Sequence, residues 1–271
     1  MSSVFSIIAL VIAIVATLLG NSEAFSASSN LRSLRGFLKM AAPPVAQSKV
    51  LIIQNKGGGH GEIGFQLCKT LASMYKGVDI TILQDEACNY KKLPFSKYEM
   101  ELKSALGVKV FDTKLTGDGS GPNAASPIKG MKFDYIIDNW AKGTENATFS
   151  IGIADESGAS QHLFVSSAGM YKNGEGTGAT EDSDVKENDA RKVELAMEAA
   201  SIPYTFLRPQ YIYGPNAAKR YLDYFIARAA RKLPTPVPLD GSQKVSIVNI
   251  YLQILKRDGM YHSIAPCPLL Y

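Results

Sequence analysis

Hydrophobic positions along the chain gather into short runs separated by turn residues, and the first clear one, KVLIIQN at 49–55, has the length of a buried parallel strand. It leads directly into GGGHGEIG at 57–64, after which Ile63, Leu67, Leu71 and Met74 recur at spacings of three and four, the mark of a helix. Val78 to Leu83 (VDITIL) predicts a second strand. Further strands are expected at Val108–Phe111, Phe133–Asp138, His162–Ser166 and Tyr204–Leu207, with helices over Lys186–Ala200 and Lys219–Lys232. Strand, glycine loop, helix, strand in that order predicts an α/β fold: a Rossmann-type, doubly wound, mostly parallel sheet. TGDGSGPNAASP (116–127) reads as a loop, and 175–189 carries six acids in fifteen residues. No internal repeat or coiled-coil heptad is present.

The glycines carry the first functional reading. Gly59, Gly61 and Gly64 satisfy GxGxxG, and Gly58, Gly61 and Gly64 satisfy GxxGxxG. Glycines there permit a sharp turn, let a pyrophosphate approach the backbone, and bring the helix against the sheet with its amides facing the phosphates. Asp85 lies 21 residues beyond Gly64, near where a ribose-binding acid is expected. Gly58, Gly59, Gly61, Gly64 and Asp85 are therefore candidate NAD(P) contacts.

Before the first strand the chain reads differently. Val4 to Leu19 is sixteen residues without a charge, and Ser22 and Ala24 stand at the −3 and −1 places of a small-residue cleavage site before Phe25. The run is short for a membrane span, so residues 1–24 are expected to be a signal peptide. From Phe25 to Gly61 there is no acid, while Arg32, Arg35 and Lys39 lie among serines, which is how a transit peptide reads (25–39). The pair resembles the bipartite plastid address of algae with secondary plastids and implies a plastid stroma. Without residues 1–39 the formal charge falls from +4 to +2, which permits nucleic-acid binding without arguing for it. With 46% hydrophobic and 20% charged residues in 271, disorder and collagen are excluded, and three cysteines cannot make a disulfide framework.

FVSSAGMY (164–171), LRPQYIYGP (207–215) and PVPLDGSQKVS (236–246), with the glycine loop, resemble the extended short-chain dehydrogenase/reductase superfamily over residues 49–247. That likeness implies an NAD(P)-binding, epimerase/dehydratase-like domain (45–247), a serine after the fifth strand, and a Tyr-x-x-x-Lys pair for hydride chemistry. Ser167 takes the serine place. The tyrosine and lysine places, aligned through Glu194, fall on Lys186 and Ala190, and none of the 13 tyrosines has a lysine four residues later. Hydride chemistry by the usual route then lacks its proton acceptor.

A narrower likeness lies in VLIIQNKGGGHGEIGFQLCKTL, FDYIIDNWAKG (133–143), HLFVSSAGMYKN (162–173) and FLRPQYIYGP, with Asp138–Asn139 and Pro209–Gln210 as particular marks. These resemble the chloroplast stem-loop-binding proteins, atypical members of the superfamily. The resemblance implies structured RNA and ribosomes as partners, with a metal-dependent endoribonuclease activity in some members. The alternatives are an NAD(P)-dependent sugar-nucleotide epimerase or reductase, and a non-catalytic dinucleotide-sensing scaffold.

Strand ends supply the other candidates, since ligands on such sheets sit there. Asp138 is a candidate catalytic acid and ligand for a divalent metal such as magnesium, and Ser167 a candidate catalytic hydroxyl; Asn139 and Ser166 are candidate cofactor contacts. Asp134 reads as a turn residue, Cys68 as core packing, and His60 as a loop histidine able to meet a phosphate. Arg220, Arg228, Arg231 and Lys232, with Tyr221, Tyr224 and Phe225, form a candidate RNA surface, set against a bland reading in which Leu222, Phe225, Ile226 and Ala229 are a buried stripe. The acid-rich 175–189 segment is expected to face away from RNA. Asn146-Ala147-Thr148 is a sequon, read as chance. Residues 248–271 match no motif of the likeness and are expected to be an atypical tail, from truncation or a misread exon, leaving the C-terminal substrate lobe incomplete; homo- or hetero-oligomers remain open.

Overall fold

The computed structural model describes residues 47–55, 61–115, 124–172, 179, 183–209, 211–214, 222–236, 240 and 247–249. The expected leader, Gly58, Gly59, His60, Gln210, Arg220 and the tail from 250 lie outside the described residues.

Six strands form one parallel sheet: β1 (Lys49–Gln54), β2 (Asp79–Asp85), β3 (Lys109–Thr113), β4 (Tyr135–Asn139), β5 (Gln161–Val165) and β6 (Tyr204–Leu207), in the order β3-β2-β1-β4-β5-β6. Helix α1 (Gly61–Met74) connects β1 to β2, α2 (Thr144–Ser157) connects β4 to β5, and α3 (Asp189–Ala199) connects β5 to β6. The chain runs outward from β1 to β3, returns to the far side of β1, and runs outward again. The order reverses between β1 and β4, and such a reversal opens a crevice at the carboxyl ends of the two strands.

Alternation along β1 shows how the sheet is covered. Val50 and Ile52 join Phe65, Cys68 and Leu71 of α1 on one face; Leu51 and Ile53 join Ala147, Ile153 and Ala154 of α2 with Val193 and Met197 of α3 on the other. A strand buried on both faces must be apolar at every step, which is why KVLIIQN carries no alternation. Between β2 and β3 the chain makes a short 3-10 turn, Phe95–Lys97, and a π-helical turn, Tyr98–Ser104, whose Glu101 pairs with Lys69 of α1. Neither turn was legible beforehand.

Two shorter strands, β7 (Tyr211–Tyr213) and β8 (Ile247–Asn249), pair with each other in parallel, and helix α4 (Asp223–Ala230) lies between them in sequence. The tail boundary drawn at 248 thus falls inside β8. Among the described residues no helix is long and apolar enough to cross a membrane.

Candidate functional site

At the crevice the strands end in amides. Gln54, Asn55 and Asn139 are buried where β1 and β4 finish, and Gln84, paired with Gln54 in register, is buried at the end of β2. Asn139 Nδ2 donates to Gln54 Oε1 at 2.8 Å, Asn55 Nδ2 to the Asn139 carbonyl at 3.1 Å, and Gln84 Nε2 to the Asn55 carbonyl at 2.9 Å. These groups bond to one another and to backbone, with Gln84 Oε1 left without a partner among the described residues, so Asn139 works as a brace in the crevice floor. Gly64 sits over it: a Cβ there would lie 2.0 Å from Gln54 Oε1. The third glycine of the motif therefore leaves room for the Gln54 side-chain amide, which a larger residue would have to displace from Asn139. Gly61 opens α1.

Asp85 ends β2 almost fully buried, and its Oδ1 accepts from the Ala87 amide at 3.0 Å, a turn-capping role. Asp138 is buried further. Its Oδ1 accepts from the Trp140 and Ala141 amides at 2.9 and 2.8 Å, and Oδ2 has no hydrogen-bond partner. Burial pushes the Asp138 carboxyl above its usual range, opposed in part by the nearby Ser150 hydroxyl, which donates to the Ala147 carbonyl, and by the two amides. Among the described residues no cluster of His, Cys, Asp or Glu could hold a metal ion. The catalytic and metal-ligand roles expected for Asp138 do not suit this placement, since a carboxylate with no exposure has no route to a hydrated cation or a scissile phosphate. Asp134 Oδ2 accepts from the Lys49 amide at 2.8 Å, at the opposite edge of the sheet.

The two serines after β5 divide their tasks. Ser166 is buried and its hydroxyl donates to Glu194 Oε1 at 2.7 Å, so it faces the protein and not a ligand. Ser167 starts a 3-10 turn, Ala168–Met170, its Oγ accepting from the Gly169 amide at 3.2 Å and donating to no acceptor among the described residues. Glu194, fully buried on α3, also accepts two bonds from Arg208 (2.8 and 2.7 Å) and one from Arg191 (2.9 Å). Burial works against its charge, but Arg208, Ser166 and Arg191 outweigh it and hold the Glu194 carboxyl below its usual range. Arg208 further donates to the Tyr171 hydroxyl at 2.9 Å.

The segment before α3 returns to this turn. Tyr171 bridges Val185 in antiparallel fashion, the Lys172 amide donates to the Asp184 carbonyl, and the Lys186 amide to the Met170 carbonyl at 2.7 Å. Lys186 is thereby pinned beside the turn that Ser167 caps, and its side chain is exposed; Ala190 is half-buried at the second position of α3. The described part of the acid-rich segment, through Asp184, Val185 and Lys186, lies against the end of the Ser167 turn.

On α4 no residue is buried. Phe225 and Ile226, expected in a buried stripe, are 45% and 61% exposed, and Arg231 and Lys232 are exposed with Tyr224, while Arg228 is half-buried and its Nε donates to the Pro234 carbonyl. The Arg228 guanidinium lies 5.5 Å from the Tyr224 ring centre. Asn146 of the sequon is buried and its Oδ1 accepts from the Lys142 amide at 3.0 Å, so its side chain belongs to the fold. Cys68 is buried, and burial pushes its thiol well up.

No family model matches the chain, and no curated protein matches it. Solved structures do. The dTDP-glucose 4,6-dehydratase of Streptomyces venezuelae with NAD bound superposes with a TM-score of 0.53 at 14% identity, covering 73% of this chain and 67% of that one. The UDP-N-acetylglucosamine 4-epimerase of Methanobrevibacter ruminantium gives 0.52 at 12%, covering 75% and 69%. The fold is that of the NAD-dependent epimerases and dehydratases. Likeness at this identity speaks for the fold alone. A Methylobacillus flagellatus protein titled a NAD-dependent epimerase/dehydratase superposes at 0.48 and 20% identity over 69% of this chain, which spans 62% of that protein's length.

Sequence reasoning had named Asn139 but not its partners. A signal was present: Gln54 and Gln84 follow the apolar pairs Ile52–Ile53 and Ile82–Leu83 at equivalent positions, where a polar residue is out of pattern. Likewise Glu194 interrupts the buried stripe of α3 between Val193 and Met197, and a buried acid calls for a cation.

Proposed function

We propose that this chain is a plastid RNA-binding protein of the stem-loop-binding type, built on an epimerase/dehydratase fold that no longer carries the usual proton relay. One observation carries the reading: beside the Ser167 turn, where hydride chemistry needs a tyrosine, stands the exposed Lys186, with Ala190 in the lysine place. A lysine ammonium donates three hydrogen bonds and accepts none, so it attracts an anion where the superfamily needs a proton acceptor. The ordered motifs of the stem-loop-binding likeness support the same reading. So does α4, whose exposed Tyr224 and Phe225 accompany Arg228 and Lys232, a combination suited to base stacking and phosphate contact. The leader supports a plastid location, and structured transcripts or ribosomes are the proposed partners. Endoribonuclease activity is proposed only as a property of the likeness, because Asp138 is enclosed.

A second reading, an NAD(P)-dependent sugar-nucleotide epimerase or dehydratase, is favoured by the structural neighbours. Gly64, which on α1 leaves room for the Gln54 side chain of β1, and Asp85 at the tip of β2 fit the dinucleotide place of such a fold. Bound there, NAD(P) would supply a hydride acceptor or donor. The chain's own contribution to that reaction is limited to Ser167, since no tyrosine of the usual motif is available to move the proton.

The experiment takes the protein from Met40 with a labelled stem-loop RNA across a salt series, with and without magnesium, alongside an assay of nicotinamide turnover on sugar nucleotides. Affinity falling steeply with salt supports RNA binding. Saturable nicotinamide turnover without RNA affinity at low salt replaces it with the second reading, and dinucleotide binding without turnover with a sensing scaffold.

A further inference from the structure

The Ser167 turn holds a second, sharper feature. Its backbone is closed by the protein itself: the Ala168 amide donates to the Pro209 carbonyl and the Lys186 amide to Met170. Two side-chain donors beside it have no acceptor among the described residues. Ser167 Oγ has accepted from Gly169 and donates to nothing among the described residues. Lys186 forms no ion pair among them, although Lys172 nearby has Asp184 at 3.7 Å. Among the described residues the acids at hand are Asp184, spent in part on Lys172, Glu187, next to Lys186 in sequence, and Asp189, paired with Lys192 at 3.1 Å.

We propose that Lys186 and Ser167 form a phosphate-binding subsite in the place where the superfamily keeps its proton-transferring tyrosine. The ligand chemistry is a singly or doubly charged phosphate group, which offers several acceptor oxygens to three ammonium donors and one hydroxyl. The subsite deepens the RNA reading and rests on it for one source, a backbone phosphate of a structured RNA; a nucleotide phosphate is the other. Lysine, a compact charge on a flexible stem, holds such a group without the fork geometry an arginine imposes.

The test compares the wild-type protein from Met40 with Lys186→Met and Lys186→Arg. Stem-loop RNA binding is followed across salt, and ADP and NADPH binding by calorimetry. Lys186 is exposed, so thermal unfolding of both variants should match wild type. For RNA, Lys186→Met is expected to weaken binding about 5-fold at low salt and to flatten the log–log salt slope by about 0.7 to 0.9, the loss of one released counterion, while Lys186→Arg keeps both. RNA binding with unchanged affinity and slope in Lys186→Met overturns the subsite and leaves the RNA reading standing. Where wild type binds no RNA the RNA reading falls, and a several-fold loss of ADP or NADPH affinity in Lys186→Met then upholds the subsite for a nucleotide phosphate. Equal nucleotide affinity in that case, or no binding of any of these ligands, overturns it.

Discussion

At the carboxyl edge of the sheet, the ends of β1, β2 and β4 bury neutral amides, whereas the ends of β5 and β6 bury charge. Gln54, Asn55, Gln84 and Asn139 bond to one another and to backbone, so their network is indifferent to pH and depends on shape. Glu194, Arg208, Arg191 and Ser166 depend on ionisation: a fully buried carboxylate is tolerable only while two guanidiniums and a hydroxyl hold it. The first region braces the place where a dinucleotide fold receives its ligand, and the second fixes the Ser167 turn. Both are buried and polar, yet they fail for different reasons.

The largest effect should come from the charged region. Arg208→Met leaves Glu194 with only Arg191 and Ser166, and removing one partner of a buried pair costs about 3–5 kcal/mol; urea unfolding at pH 7 measures it. A loss under about 1 kcal/mol would mean that the knot is solvated and the contrast false. In the amide region Gly64→Ala should cost about 1–3 kcal/mol, because the new methyl meets Gln54 Oε1 at 2.0 Å and that oxygen is already committed to Asn139. The double variant Gly64→Ala with Gln54→Ala should recover part of the loss, since the obstacle is gone.

Acid should separate the regions further. His162 on β5 is buried, with Nε2 unpartnered, and burial pushes its imidazole down to about 4 from an ordinary 6.5. A base whose folded pKa is depressed contributes fully above pH 6.5 and loses that contribution as pH falls toward 4, because the unfolded chain takes the proton first. Between pH 7.5 and 5.0 the loss is about 2 kcal/mol. His162→Gln should flatten the stability profile over that window. Glu194, held below its usual range, contributes above about pH 4.5 and loses its share only as pH falls through its folded value, so acid sensitivity that survives in His162→Gln below pH 4.5 includes the charged region. Asp138 has the opposite sign, since its raised carboxyl gains stability as it is protonated.

The alternating strands and helices of the sheet were legible because each central strand is an apolar run and α1 and α3 carry stripes at helical spacing. Helix α2 was not, for a physical reason: of its buried positions Asn146, Ala147, Ser150, Ile153 and Ala154, only Ile153 is a large apolar residue, so no hydrophobic stripe shows. Close packing there is served by small side chains. Of the candidate site, strand-end positions were readable and side-chain direction was not. Ser166 and Asp138 sit where ligand-facing residues sit in such folds, and both turn inward because a buried acceptor or donor elsewhere claims them. The exposure of Phe225 and Ile226 could not be read either, since helical periodicity reports a stripe and not what covers it.

The smallest effect is the most discriminating between readings of the charged end. Ser167→Ala removes one cap of a single 3-10 turn whose backbone is also held by Pro209 and Lys186, so stability should fall by about 1 kcal/mol or less. A neutral hydroxyl releases no counterion, so RNA affinity should drop about 2- to 10-fold, one hydrogen bond, while the salt slope stays at the wild-type value. That combination, set beside the changed slope expected of Lys186→Met, places the hydroxyl and the ammonium on one phosphate with separable roles. If Ser167→Ala instead leaves RNA binding untouched and abolishes nicotinamide turnover, the turn serves hydride chemistry, and the buried charge of Glu194 and Arg208 is there to hold a catalytic hydroxyl in place.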